Sequence, residues 1–498
     1  MSSLKKKLTI NATSAIVQVA FTALLYFFLY KYLLDTLGVK QLGVWSLILS
    51  FSSIANLANL GLTSGLVKFV AEYIAEKKDE KIGKLILTSV ISLVILFCGL
   101  SIIILFCAQY VLGFVIEQQY LAIAFSILPL SLASLCVNAI SGIFTSVLEG
   151  YQKNYLKNFI YIFSGIIMFV ATILLTPTFH LKGVAIAQLL QAIFVLFSAL
   201  ILILRVSPFN GFKFWKWSTR SFKELFNYGY KFQVVSICQL LYEPTTKMLL
   251  SKYGGLALLG HYEMATRLVN QFRALLVNAN QVVIPVVAEA AKTKSIAYRQ
   301  EFYVKMNRIM SSLTFPLATL LIVFTPLVSL IWIGDINADF IFAMYVLTIS
   351  SALNIMSGPA YFSCMGEGRL TIPVIVHVSM AIINLVLGFL LGQMFGGYGI
   401  ILAWCIALAL GSIFLVFGYN KAIKINFRSV FAKNERLILA ISAILISVSV
   451  ILYFIDFPFK NYYIITVLLF AIFIVSFIHA FRKNIEITDW LMSLHKKN

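Results

Sequence analysis

Between Glu263 and Gln281 the chain puts nine polar or charged side chains on one half of a helix. At about 100° per residue, Thr266, Arg267, Asn270, Gln271, Arg273, Asn278, Asn280 and Gln281 all fall within roughly 100° of Glu263. Leu268, Phe272, Leu275 and Val283 occupy the other half. Guanidinium forks suit phosphate oxygens, and amides can both donate to and accept from hydroxyls. Arg273 has no acidic residue three or four positions away, which favours a substrate role. Arg267 has Glu263 at i−4, so a lateral ion pair is the alternative there. Just upstream, Gln239, Glu243 and Lys247 form an i,i+4 ladder, with Ser236 and Thr246 on the same side and Lys231 further back. Pro244 removes one amide, which predicts either a hinge or a fixed kink. Arg267, Arg273, Lys247 and Lys231 against Glu243 and Glu263 make a mixed but net-basic wall. The two carboxylates are candidates for carrying a proton or contacting a sodium ion. Two further polar faces are Asn11, Gln18, Thr22 and Tyr26, and Ser52, Asn56, Asn59 and Thr63.

The elements that must position these residues are membrane helices. The 498 residues are 61% hydrophobic and only 12% charged, with a mean hydropathy of +0.94, whereas a soluble domain has about a quarter of its residues charged. Apolar runs long enough to cross a bilayer, about 20 residues each, recur along the whole length. No stretch alternates as a membrane β-barrel strand would. The expected fold is all-α and polytopic, with about 14 spans: 8–34, 41–70, 85–110, 119–148, 156–176, 183–205, 224–250, 257–289, 299–326, 338–366, 371–394, 398–420, 437–455 and 461–481. The basic N-terminal MSSLKKKLTI precedes an apolar run too long for a signal peptide, and is read as the start of a retained first span.

Orientation follows from the 39 Lys and Arg. With Lys5, Lys6 and Lys7 in the cytoplasm, the inner segments hold 27 of them and the outer loops five: Lys31, Lys40, Lys182, Lys252 and Lys460. That is the positive-inside bias, and both termini come out cytoplasmic. The net charge of +20 is thereby assigned to topology and anionic headgroups, with no call on nucleic acid. Lys68 with Glu72, and Lys305 with Arg308, fall near cytoplasmic ends, where they either snorkel or collect a diphosphate headgroup. The stripe Ser131, Ser134, Asn138, Ser141, Thr145 and Glu149 is read as helix packing. The six cysteines lie inside apolar spans without CxxC pairing and read as small buried hydrophobes, and the five histidines show no metal-ligand spacing. No metal or cofactor is expected.

The sequence also repeats itself. At an offset of 217, Leu33, Gly38, Leu42 and Gly43 match Leu250, Gly255, Leu259 and Gly260, and Val70-Ala71-Glu72 matches Val287-Ala288-Glu289. At 218, Glu149-Gly150 matches Glu367-Gly368; at 216, Gly183 and Ala187 match Gly399 and Ala403. The repeat is six helices long, an even number, so its copies share one orientation and are related by a pseudo-twofold along the membrane normal. The expected organisation is a six-helix lobe at 1–205, a cytoplasmic linker at 206–223 containing Pro208 and Gly211, a second lobe at 224–422, and two extra helices with a tail at 423–498. Spans 1 and 2 are then the counterparts of spans 7 and 8.

LG-x-x-x-LG-x-WSL at 37–47, LGL at 60–62 and VAEY at 70–73, followed by a charged loop, resemble the start of an oligosaccharide flippase of the polysaccharide-transporter family in the MOP superfamily. The resemblance extends over the chain through the 6+6+2 layout and basic inner loops. It implies translocation of undecaprenyl-diphosphate-linked oligosaccharides from the inner to the outer leaflet of the bacterial inner membrane, by alternating access, for O-antigen or another surface polysaccharide. It also implies contact with membrane lipids and with polysaccharide polymerase machinery. Alternatives are a flippase of the peptidoglycan precursor lipid II and a MATE-type cation exporter. The exporter would want a carboxylate deep in spans 1–6, where Asp35, Glu72 and Glu149 lie only at span ends. A membrane-embedded glycosyltransferase or polymerase would need catalytic acids in sizeable outer loops, which offer only scattered Asp335, Asp339, Asp456 and Glu117. No phosphate-cradling G-x-x-x-x-G-K-[ST] is present, so the chain is read as a transporter and not an enzyme. The topology predicts that single cysteines at Lys216 and Asp335, in a cysteine-free background, label from opposite sides of the membrane. Labelling of both from outside intact cells would overturn it.

Overall fold

The computed structural model describes residues 2–59, 62–206, 216–280, 287, 290–291, 293–426, 433–454 and 462–482. The described chain is helical, without a strand. Its elements are α1 (Ser2–Leu37), α2 (Val39–Ser52), a 3-10 stretch (Ser53–Asn59), α3 (Leu62–Ala75), α4 (Asp79–Val115), α5 (Gln118–Gly150), α6 (Asn154–Val206), α7 (Thr219–Asn280), α8 (Ile296–Trp332), α9 (Ala338–Met356), α10 (Gly358–Glu367), α11 (Thr371–Ile423), α12 (Lys433–Phe454) and α13 (Tyr462–Arg482). Helix dominates because hydrocarbon cannot satisfy backbone N–H and C=O groups, and a helix satisfies them within itself.

The repeat recurs in the backbone. Helices α4 and α8 both start and end 217 positions apart, at Asp79 and Ile296 and at Val115 and Trp332. The same offset relates α6 to α11, each 53 residues long. Both long rods are broken at equivalent points: His180 (φ 50°, ψ −134°) and Gly396 (φ 59°, ψ −141°). Three residues beyond each break, Gly183 and Gly399 lie against the carbonyls of Leu175 and Leu391. Eight residues of continuous helix would span about 12 Å, so this contact means the chain turns back on itself at each break. Gly38 (φ 80°, ψ 162°) and Gly255 (φ 77°, ψ 172°) form another equivalent pair, at the start of α2 and inside α7. Such angles favour glycine. At His180 a side chain occupies a region that L-residues rarely visit, and the local backbone is strained there.

Nine helical stretches among the described residues are long and apolar enough to cross a membrane, and two of them, 154–205 and 371–423, are double length. The α7 rod falls outside that set because its charged and amide side chains dilute its apolar content. The expected span 41–70 is not one continuous helix. It is interrupted by the 3-10 stretch, where Asn59 turns its amide onto Thr63, accepting from the backbone N–H at 3.4 Å and donating to the hydroxyl at 3.3 Å. An asparagine that bonds nearby main chain competes with helix continuation. The expected span 338–366 is likewise divided, into α9 and α10, at Ser357 with Pro359 just beyond.

By contacts the chain forms two compact units, Met1–Glu263 and Met264–Asn498. In the first, α1 packs along α6, where Gly165 lets Leu25 approach closely. The two copies of the glycine loop meet reciprocally: Gly43 lies against the carbonyl of Leu256, and Gly260 against the carbonyl of Val39. Each contact becomes the other under the 217 shift. The first arm of α7 is fixed to this unit at one end by Tyr73, which donates to Glu224 at 2.9 Å, and by the Ser218 N–H on Thr88 at 3.0 Å. Ser251 bonds the carbonyl of Val115 at the other end. In the second unit, Tyr303, Val376, Met380, Leu408, Leu415 and Tyr419 form a core between α8 and α11. Val323 of α8 is covered by Ile438, Leu445, Leu469, Phe473 and Phe477 of α12 and α13.

A Cβ at Gly43 or Gly260 would overlap a main-chain carbonyl, which cannot swing away as a side chain can. Gly43→Ala and Gly260→Ala should each destabilise the protein by about 1–3 kcal/mol or prevent its accumulation. Gly99→Ala, where nothing lies within 4 Å of the new methyl, should be neutral. Thermal unfolding of the detergent-solubilised variants checks the contrast.

Candidate functional site

Glu263 begins the polar face of the second arm of α7, and its side chain is only 2% exposed. Three donors converge on its carboxylate: Lys247 Nζ at 2.9 Å and Ser46 Oγ at 2.6 Å on one oxygen, and Tyr30 Oη at 3.2 Å on the other. Ser46 and Glu263 are 217 positions apart, so they are equivalent residues of the two repeat copies meeting each other. Lys247 is buried and also lies 3.6 Å from Glu243, which is 65% exposed, so the expected i,i+4 pair is present. Pro244 is buried within α7. A buried ion pair with satisfied hydrogen bonds can hold helices in register, whereas loss of one partner strands a charge.

Further along the arm the same face opens. Asn270 and Arg273 are exposed, and Arg267 and Gln271 half-buried. Arg273 lies close enough to Tyr361 and His377 to act on both electrostatically, and the rings of those two meet edge to face at 6.1 Å. Thus Arg273, Tyr361 and His377 form a cluster within the second unit. The side chains of Lys231, Gln239 and Asn278 lie outside the described residues, as does Glu289 of the repeat match.

In the first unit, Gln18 and Thr22 of α1 hydrogen-bond each other at 3.2 Å and line a cavity of about 260 Å³. Its walls come from α1, α5 and both arms of α6, with Tyr26, Asn138, Tyr161, Ser164, Gln188 and Gln191 supplying the remaining polar groups. Asn11, on the same face of α1, is used elsewhere: it donates to the carbonyl of Gln152 and accepts from the backbone N–H of Tyr155. Asn56 is exposed on the 3-10 stretch, and Asn59 is held by Thr63. Lys305 and Arg308 line a cavity of about 610 Å³ together with Gln300, Glu301 and Lys424 at the ends of α8 and α11. Sequence reading missed Tyr30, Ser46, Gln188 and Gln191. The offset of 217 could have found Ser46, since a residue near a symmetry axis meets its own repeat mate.

An internally repeated, all-helical chain that keeps ion pairs and amide-lined cavities within its spans is a multi-pass membrane transporter by architecture. Solved structures agree on the fold. An inward-facing multidrug resistance MATE family transporter of the MOP superfamily aligns with a TM-score of 0.70 at 15% identity, covering 82% of this chain and 98% of its own. The lipid II flippase MurJ, in an inward closed conformation, aligns with a TM-score of 0.70 at 16% identity over 95% of this chain and 100% of its own. A MOP superfamily transporter from Pyrococcus furiosus aligns at 0.64 with 14% identity, over 84% and 96%. No curated protein matches the chain. The family model described as polysaccharide biosynthesis protein matches residues 13–339, and the chain belongs to that family. With the MOP fold, this bears out the resemblance to the polysaccharide-transporter family.

Removing Lys247 takes away the ammonium that lies 2.9 Å from the buried Glu263 carboxylate. Lys247→Met should therefore cost about 3–5 kcal/mol of stability. Lys247→Met combined with Glu263→Gln should recover most of that loss, because no charge is then stranded. A Lys247→Met protein as thermally stable as wild type would count against a charged pair.

Proposed function

We propose that this chain is a flippase that moves undecaprenyl-diphosphate-linked oligosaccharides from the cytoplasmic to the outer leaflet of a bacterial inner membrane, by alternating access. The observation that carries this reading beyond the family is the second arm of α7, which exposes Asn270 and Arg273, with Arg267 and Gln271 half-buried beside them. A cation on a membrane-crossing helix costs about 2.5–3.5 kcal/mol on insertion scales, so it marks a polar path or a partner. Guanidinium groups recognise diphosphate by charge and by forked hydrogen bonds. The amides beside them suit the sugar hydroxyls. Membrane lipids and the lipid-linked sugar are the partners, and Glu243 and Glu263 the candidates for ion coupling. The chain acts as a transporter and not an enzyme.

A second reading, translocation of the peptidoglycan precursor, is favoured over cation export by two observations. The MurJ fold extends over 95% of the chain, against 82% for the MATE transporter. Among the described residues, no acidic or basic one lines the cavity of the first unit, where a cation exporter would want a carboxylate. A leaflet-accessibility assay in proteoliposomes separates the three readings, with lipid-linked oligosaccharide, lipid II and an organic cation as the alternative substrates.

The charge test is at Arg273. Arg273→Ala should lose most flipping without loss of folded protein, and Arg273→Lys should recover only part, because Lys keeps charge without the fork. Arg273→Glu should be the most impaired, since it repels phosphate. Flipping at the wild-type rate by Arg273→Glu, or loss of protein in all three variants, would make the residue structural.

A further inference from the structure

The cavity of the first unit has a chemistry unlike that of the α7 arm. Among the described residues, its lining contains no Asp, Glu, Lys, Arg or His. It contains four side-chain amides (Gln18, Asn138, Gln188 and Gln191), together with the hydroxyls of Thr22, Ser164, Tyr26 and Tyr161. These residues sit in the middle of their helices: Asn138 within Gln118–Gly150, and Ser164 and Gln191 in the middle of the two arms of α6. Lipid would leave them without partners, so groups of this kind at this depth should face protein, water or a ligand.

The internal bonds account for only part of their capacity. Gln18 donates to Thr22 at 3.2 Å, and Gln191 donates to Ser164 across the two arms at 3.5 Å. The amide oxygen of Gln188 is buried with no hydrogen-bond partner. A buried acceptor left unmet costs about 1–3 kcal/mol, and an incoming hydroxyl would relieve it. Amides pair well with neighbouring hydroxyls, because each presents a donor and an acceptor side by side. Beside these groups, Tyr26, Tyr161, Phe169 and Met168 give flat or soft apolar walls. Polar edges around apolar faces match a pyranose ring, which carries hydroxyls on its rim and C–H bonds on its faces. The volume of about 260 Å³ lies near the small end of ligand pockets, about 300–1,000 Å³, which suits one sugar unit and not a whole chain.

We infer that this cavity is a subsite for a neutral monosaccharide unit of the transported oligosaccharide, with Gln188 and Gln191 as its principal hydrogen-bonding residues. The inference rests on the flippase reading and deepens it: one sugar of the substrate is read by uncharged amides within the first unit.

The test is a comparison of two ligands on the full-length protein in lipid nanodiscs. One is undecaprenyl diphosphate; the other is undecaprenyl diphosphate bearing a neutral oligosaccharide of hexose and N-acetylhexosamine units. Wild type should bind the sugar-bearing lipid more tightly. Gln188→Leu and Gln191→Leu should each reduce that preference about tenfold, the effect of one lost hydrogen bond to a ligand, while affinity for the sugar-free lipid stays unchanged. Where a leucine variant fails to accumulate, Gln188→Asn and Gln191→Asn keep the polarity but draw the amide back, and should shift the preference in the same direction by less. The subsite is overturned if wild type shows no preference, if the variants weaken both ligands equally, or if they leave the preference intact. Flipping by the wild type is scored separately with the sugar-bearing lipid. Flipping with an unaltered preference in the variants removes the subsite and leaves the flippase reading standing. A sugar preference that the variants abolish, in a protein that does not flip, does the reverse.

Discussion

Glu263 holds a carboxylate away from solvent, and the groups that make this tolerable come from three places in the chain. Tyr30 comes from α1, Ser46 from α2 and Lys247 from the first arm of α7. Together they hold the start of the second arm against α1 and α2. Asn270 is seven residues on, two turns or about 10 Å along the helix, and lies on nearly the same face. That face is closed at Glu263 and exposed at Asn270 and Arg273. The close packing of Gly43 and Gly260 on main-chain carbonyls is what brings Ser46 and Glu263 within hydrogen-bonding distance.

Polar residues inside the spans divide by how they meet their hydrogen bonds. Hydroxyls mostly satisfy themselves on their own helix: Ser89 on Leu85, Thr172 on Met168, Thr325 on Leu321 and Ser412 on Leu408, all at i−4. Such residues need no cavity, and their presence says little about function. An amide has two donors and an acceptor and reaches too far to fold them all back onto its own helix. The stripe on α5 shows the difference. Ser141 and Thr145 bond Val137 and Gly142 locally, as expected of packing residues, while Asn138, three residues before Ser141, faces the cavity.

Much of the architecture was legible for a definite reason: the offset of 217 marks positions where only glycine tolerates the backbone. Gly38 and Gly255 need positive φ, and Gly43 and Gly260 need a missing side chain, so both copies kept the same residue at the same place. The interruption after Ser52 was illegible because Asn56 and Asn59 look like an ordinary polar face until Asn59 is seen bonding Thr63. The partners of Glu263 were hidden for another reason. A lateral pair with Arg267 is visible in one dimension, whereas Tyr30 is 233 positions away. Gln188 and Gln191 lie within a long apolar helix and, taken singly, mark no site. Only the convergence of α1, α5 and α6 makes them a group.

Where the two copies differ, they differ in chemistry more than in backbone. The breaks at His180 and Gly396 have nearly the same angles, and the helices around them have equal lengths. Yet the position of Ser46 in the first copy is Glu263 in the second. The described lining of the first unit's cavity is uncharged, and the guanidinium groups of Arg267 and Arg273 lie on the second copy's arm. A substrate with like ends would be served by like copies. On a matched backbone, the first copy lines a cavity with uncharged amides and hydroxyls, while the second carries Arg267 and Arg273 beside Asn270 and Gln271.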